Sequence, residues 1–271
     1  MTLRRMSGRE RISVVLLNKP SFDELALKFL VLSLNKIQKC FEFEFQDLEE
    51  YPLKNGDLSE IEDIIHCFSR QIEKEELEGD YFVGITSYEI EENHFMVASK
   101  GGDISVITTK GWDKHFAPPS VFEYIIHSLT TALIMMADKT GTMDTHDPIR
   151  GCCLDYVYLK ENVKVDIPMR YICNFCKSAI KKKLGSDFLE CFEKINSFDW
   201  LGEVEIVGTI AWNLKKYFRT DLNKDTGLYK TRRERLKDYL LGLPKELTSL
   251  SLNTLVAAIM GFIIGLLLSA D

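Results

Sequence analysis

The sequence contains no internal repeat and no low-complexity segment, which removes solenoids and biased disordered tails from consideration. It also has no phosphate loop, no dinucleotide fingerprint and no serine elbow, so nucleotide-driven and α/β-hydrolase chemistry have no motif to rest on. Positive charge is not in excess. Lys and Arg number 34 against 41 Asp and Glu, a formal charge of -7, which argues against bulk binding to nucleic acid. The N-terminal stretch "MTLRRMSGRERISVVLLNKP" starts basic, but its apolar run is only Val14 to Leu17, too short for a secretory signal core. The bulk of the chain is therefore expected in a reducing, cytoplasmic setting. There its seven cysteines read as thiols, metal ligands or catalytic groups before disulfides.

What is present is globular: 271 residues, 45% apolar and 28% charged, enough for one domain with an appendage or for two small domains. "RISVVLL" (11 to 17) reads as a buried strand. "SFDELALKFLVLSLNKIQKCF" (21 to 41) follows as a helix with Ser21 as N-cap and Leu27, Leu30, Val31, Leu34 and Ile37 on one face. "FEFEFQ" (41 to 46) alternates as a strand does, and 58 to 77 is an amphipathic helix. Three further strands are expected at 81 to 90, 94 to 99 and 103 to 110, then a very apolar helix over 120 to 138 with Ser120 as N-cap. Helices return at 187 to 198, 204 to 218 and 228 to 241. The fold class expected is α+β, a mixed α/β sheet with helices, zinc-stabilised, followed by a helical region and one C-terminal transmembrane helix. The divisions are 1–185, 186–250 and 252–269.

The last of these rests on "LNTLVAAIMGFIIGLLLS", Leu252 to Ser269, which has no charged residue. As a helix its 18 residues would span roughly 27 Å, close to a bilayer core. The apolar residues between Leu255 and Leu268 would gain roughly 3 to 5 kcal/mol on insertion. The basic stretch 229 to 239 precedes the segment and only Asp271 follows it in charge, so the expectation is a single-pass, tail-anchored membrane protein with its N-terminal domain in the cytoplasm. Ala257, Gly261, Gly265 and Ser269 recur at four-residue spacing, which suits self-association of such a helix in the lipid bilayer.

The chemistry-bearing stretch is "DTHDPIRGCCLDYVYLKENVKVDIPMRYICNFCKS", residues 144 to 178. His146 is followed by Cys152 and Cys153, and then by Cys173 and Cys176 in a Cys-x2-Cys knuckle. Tetrahedral zinc wants four such donors, and a knuckle supplies two from one turn. The expected site is His146, one of Cys152 or Cys153, Cys173 and Cys176. With four protein donors no position is left for water, so one zinc per chain would be structural. Buried free thiols and a redox pair are the rival readings. The second is weakened because Cys173 is not expected to open a helix directly after a strand.

The order of two strand and helix pairs, three strands, a central helix and a cysteine-ligated knot, over roughly residues 10 to 180, resembles the archaemetzincin family of zinc peptidases. The resemblance implies that the central helix should carry an HExxH. "VFEYIIH" places His127 at the first ligand, but Ser128 stands at the glutamate and Thr131 at the second histidine. One imidazole cannot hold a zinc that needs three protein ligands, and without the carboxylate nothing takes the proton of an attacking water. His127 is thus expected to be a remnant, satisfied within the core, with Glu123 one turn earlier as a candidate partner. The functional expectation is a non-catalytic pseudo-peptidase that binds a partner or ligand and acts at a membrane. The alternatives are a zinc hydrolase that draws His66, His94 or His115 toward His127, and a membrane scaffold.

Overall fold

The computed structural model describes residues 8–49, 51–53, 61–90, 94–98, 102–143, 145–146, 149–155 and 160–222. All lie within one compact unit, Met1–Thr226. Its centre is a five-stranded sheet in the order β2-β1-β3-β5-β4. The strands are β1 Glu10–Leu16, β2 Phe41–Gln46, β3 Tyr81–Thr86, β4 Met96–Ala98 and β5 Ile104–Thr108. All neighbours pair in parallel except β4, which runs antiparallel to β5.

Alternation along the strands decides which helix lies on which face. Ile12, Val14 and Leu16 of β1, with Val83, Ile85 and Ile107, face the larger core beside α1 (Glu24–Ile37) and α3 (Val121–Ala137). Val15, Leu17, Phe82 and Val106 face the opposite side, where Ile64 and Phe68 of α2 (Ile61–Lys74) cover them. Gly84 allows that approach, since a Cβ there would lie 2.7 Å from Leu17 Cδ1 and 3.1 Å from Phe68 Cδ1.

The outer edge of β2 is closed by two side chains of the segment that precedes it. Asn35 accepts from Phe43 N at 2.7 Å and donates to Phe43 O at 2.8 Å. Gln38 accepts from Phe41 N at 2.8 Å and donates to Phe41 O at 2.8 Å. Amides thus stand where a further strand would bond, which protects an exposed edge.

Helix α3 begins with a full capping box between Ser120 and Glu123 and is buried along most of its length. Tyr124 stacks on Trp112 of the π-helical turn Trp112–Phe116 at 3.9 Å between ring centres. Its hydroxyl sits 2.8 Å from Phe95 O and 2.7 Å from Thr108 O, which joins α3 to the sheet. Beyond α3 come α4 (Lys160–Met169), α5 (Asn174–Lys183), α6 (Ser186–Ser197) and α7 (Ile210–Phe218). Helix α6 shares the larger core through Cys191, Phe192 and Ile195.

Several expectations are corrected. Helix α1 is capped by Asp23, whose Oδ1 accepts from Ala26 N at 3.0 Å, and not by Ser21. The helix expected from 204 starts only at Ile210, where Thr209 Oγ1 accepts from Trp212 N at 3.0 Å. Helix α4 was not expected, because "KENVKVDIPM" has no clear apolar stripe and carries Pro168. One reason it docks is Lys160, fully buried, whose Nζ donates to Lys110 O at 3.0 Å; burial pulls its pKa down to about 8. Nor are all cysteines thiols, since Cys40 and Cys191, 151 residues apart, are disulfide-bonded.

The membrane localisation is also corrected. Among the described residues no helix is long and apolar enough to cross a membrane. The most apolar described helix, α3, spends its surface on the sheet and on α6. The segment 252–269, with Ala257, Gly261, Gly265 and Ser269, and the basic stretch 229–239 lie outside the described residues.

Candidate metal centre

The centre is assembled from three pieces of backbone. The first is the start of α5. Cys173 is its N-cap, and its Sγ accepts from Cys176 N at 3.5 Å. Both sulfurs of the knuckle therefore sit at the positive end of a helix. Cys173 opens a helix that follows α4 and an isolated bridge at Tyr171, and not a strand, as expected from sequence. It is unbridged, as are Cys152, Cys153 and Cys176.

The second piece is the turn from Ile149 to Asp155. Gly151 adopts φ 73°, and a Cβ there would meet Met169 Cγ at 2.8 Å, so the turn needs glycine on both counts. Asp155 Oδ2 accepts from Arg150 N at 2.5 Å and from Cys152 N at 3.0 Å. Cys152 Sγ in turn accepts from Cys173 N at 3.3 Å. The third piece is His146, whose backbone N donates to Leu154 O at 3.1 Å.

These pieces bring donor atoms of His146, Cys152, Cys173 and Cys176 within 4.8 Å of one another. Cys173 Sγ and His146 Nε2 are 3.3 Å apart. A zinc tetrahedron with metal–sulfur bonds near 2.3 Å and a metal–nitrogen bond near 2.0 Å has edges of roughly 3.5 to 3.8 Å, so the four donors need only small shifts to close on an ion. The electrostatics agree. Contacts from the thiols of Cys153 and Cys176 and from the Cys173 amide hold the Cys152 thiol far below its ordinary range, while the neighbouring Cys152 thiolate pushes Cys176 up. A buried thiolate among further sulfurs calls for a cation. This His/Cys3 cluster is able to hold one metal ion, and its soft donor set suits zinc.

Of the two adjacent cysteines, Cys152 lies in the cluster and Cys153 does not. Cys153 N donates to Tyr171 O at 3.0 Å, and its carbonyl accepts from Thr131 Oγ1 at 2.9 Å. Contact with the adjacent Cys152, together with burial, pushes its thiol well above the usual range. Thr131, at the position where the family resemblance would put a second histidine, thus fastens α3 to the cysteine turn.

His127 is not one of the cluster's donors; it is 2% exposed, with Nδ1 making no hydrogen bond. Burial lowers its pKa to about 4, against a weaker opposing influence from the amide of Asn196 on α6. That amide approaches the ring without a well-formed hydrogen bond, since neither Asn196 Nδ2 nor Oδ1 has a partner of good geometry. Glu123 does not pair with His127: it closes the capping box and faces Arg170 at 3.8 Å. His66 and His115 are exposed on α2 and on the π-helical turn, and His94 is half-buried ahead of β4. Among the described residues the His146 cluster is the single group of three or more such side chains able to hold a metal, so the structure does not gather these histidines around His127.

No protein-family model matches the chain, and no curated protein matches it. Among solved structures it is similar to the archaemetzincin of Methanopyrus kandleri at 13% identity and a TM-score of 0.46, covering 67% of this chain and 99% of that one. It is also similar to the archaemetzincin of Archaeoglobus fulgidus, solved with malonate, at 16% identity and a TM-score of 0.38, covering 62% of this chain and 98% of that one.

Proposed function

We propose that this chain is a zinc-stabilised domain related to the zinc metallopeptidases, in which the metal is structural and the work is binding instead of hydrolysis. His146, Cys152, Cys173 and Cys176 are its ligands. The observation that carries the reading is the convergence of four soft donors on one point. A zinc with four protein ligands keeps no site for water or for a substrate carbonyl, so it organises the chain and does not polarise bonds. The state of His127 supports the same reading. A ring that is buried, pressed by an amide from α6 and pushed toward the neutral form has neither the fellow ligands nor the open face of a catalytic metal site.

X-ray absorption at the zinc edge of the purified full chain tests this. The expected result is four-coordinate zinc with three sulfur neighbours at about 2.3 Å and one nitrogen at about 2.0 Å. A shell with fewer sulfurs and a bound water, joined to chelator-sensitive peptide hydrolysis that His127→Ala abolishes, would overturn it.

A further inference from the structure

One carboxylate touches two of the pieces that build the centre. Asp155 is buried, with its side chain at 0% exposure. Its Oδ2 gathers the amides of Arg150 and Cys152, and its Oδ1 lies 3.0 Å from His146 Nδ1. The backbones of the two residues also run side by side in a parallel bridge. A simple turn anchor needs only the first oxygen. The second lies beside His146 Nδ1 without a well-aligned hydrogen bond.

We infer that Asp155 is the positioning residue of the metal centre: it aims Nε2 of His146 at the metal and selects Cys152 over Cys153 as the ligand. The inference rests on the proposed zinc site and assigns a role within it. A ligating histidine presents one nitrogen to the metal, and the partner of the other nitrogen fixes its tautomer and ring orientation. With Nδ1 facing Asp155, the free nitrogen is Nε2, the atom found 3.3 Å from Cys173 Sγ. The choice between the cysteines follows from the other oxygen. Pinning the amides of residues 150 and 152 fixes the turn so that Cys152 Sγ meets Cys173 N. The next residue is held by Tyr171 and Thr131 instead, and its sulfur stays out of the cluster.

The test uses the full chain loaded with cobalt(II), whose thiolate charge-transfer band reports sulfur ligation. Asp155→Asn keeps an oxygen for the two amides and removes the carboxylate charge that faces His146. It is expected to keep the wild-type circular dichroism and the band, while cobalt affinity falls by about 10- to 100-fold, as for other residues that orient a metal-bound histidine. Cys153→Ser should leave band and affinity unchanged, whereas Cys152→Ser should weaken the band by about a third. If Asp155→Asn binds cobalt as tightly as wild type, or if Cys153→Ser loses band intensity as Cys152→Ser does, the assignment to Asp155 is overturned while the site itself stands. A wild-type chain that takes up no cobalt overturns the site and this role together. Asp155→Ala, which also frees the turn, is the harsher variant; should it not fold, the Asn variant still decides.

Discussion

The sheet and the cysteine knot are stabilised in opposite ways. In the sheet, Ile12, Val14, Val15, Leu17, Val83 and Val106 are fully buried, and apolar area removed from water supplies the driving force. In the knot, the turn at 149–155 and helices α4 and α5 bury Asp155, Asp166 and four cysteines close together. Both oxygens of Asp166 lack a hydrogen-bond partner, and burial, reinforced by Asp155 and Cys152, pushes its pKa up to about 7. Buried polar and charged groups cost free energy unless they are paired. The first region therefore stands on its own contacts, and the second needs a cation.

The largest effect expected from this contrast is metal loss. Chelation, or Cys173→Ser, should release amide protection across residues 149–155 and 160–183 while β1, β3 and β5 stay protected, with a fall in Tm on the order of 10 °C or more. Hydrogen exchange reads the two regions separately, and uniform loss across both would erase the distinction. Leu30→Ala makes the reverse cut. Leu30 is buried on α1 against the sheet, so its truncation should cost about 2 to 5 kcal/mol in denaturant unfolding with metal content unchanged.

His127 gives a pH-dependent version of the same contrast. Its pKa falls from 6.5 to about 4 on burial. As pH drops, the unfolded chain takes up the proton first, so the stabilisation is complete above about 6.5 and is lost down to about 4, amounting to roughly 3 kcal/mol. His127→Gln should flatten the stability-versus-pH curve across that window, and an unaltered slope would contradict the buried neutral ring. The smallest effect belongs to Cys153→Ser, expected to cost about 1 kcal/mol through lost packing, with zinc retained as measured by emission spectroscopy.

How far the sequence could be read follows the same division. Strand β2 and helices α1 and α2 are legible by period, each with one buried face, and β1, β3, β5 and the largely buried α3 as continuous apolar runs. Ser120 was legible as a helix start because an N-cap is local, whereas Glu123, which completes the capping box, was read as a partner for His127. The knuckle at Cys173 and Cys176 was legible because it too is local. The choice between Cys152 and Cys153 was not, since it depends on amides held by Asp155 and Tyr171, and those contacts exist only once the turn has closed. The Cys40–Cys191 bridge was hidden because it joins the start of β2 to α6 across 151 residues. Helix α4 was missed because tertiary contacts, such as the buried Lys160 on Lys110, fix it where periodicity does not.

The central claim is that one structural metal sits at the knot and none at His127. Zinc content per chain, measured by atomic emission on the wild type, Cys173→Ser and His127→Ala, tests it most directly. The account predicts one zinc, lost with Cys173→Ser and kept with His127→Ala. Two zincs, one of them lost with His127→Ala, or a single zinc that survives Cys173→Ser, would contradict it.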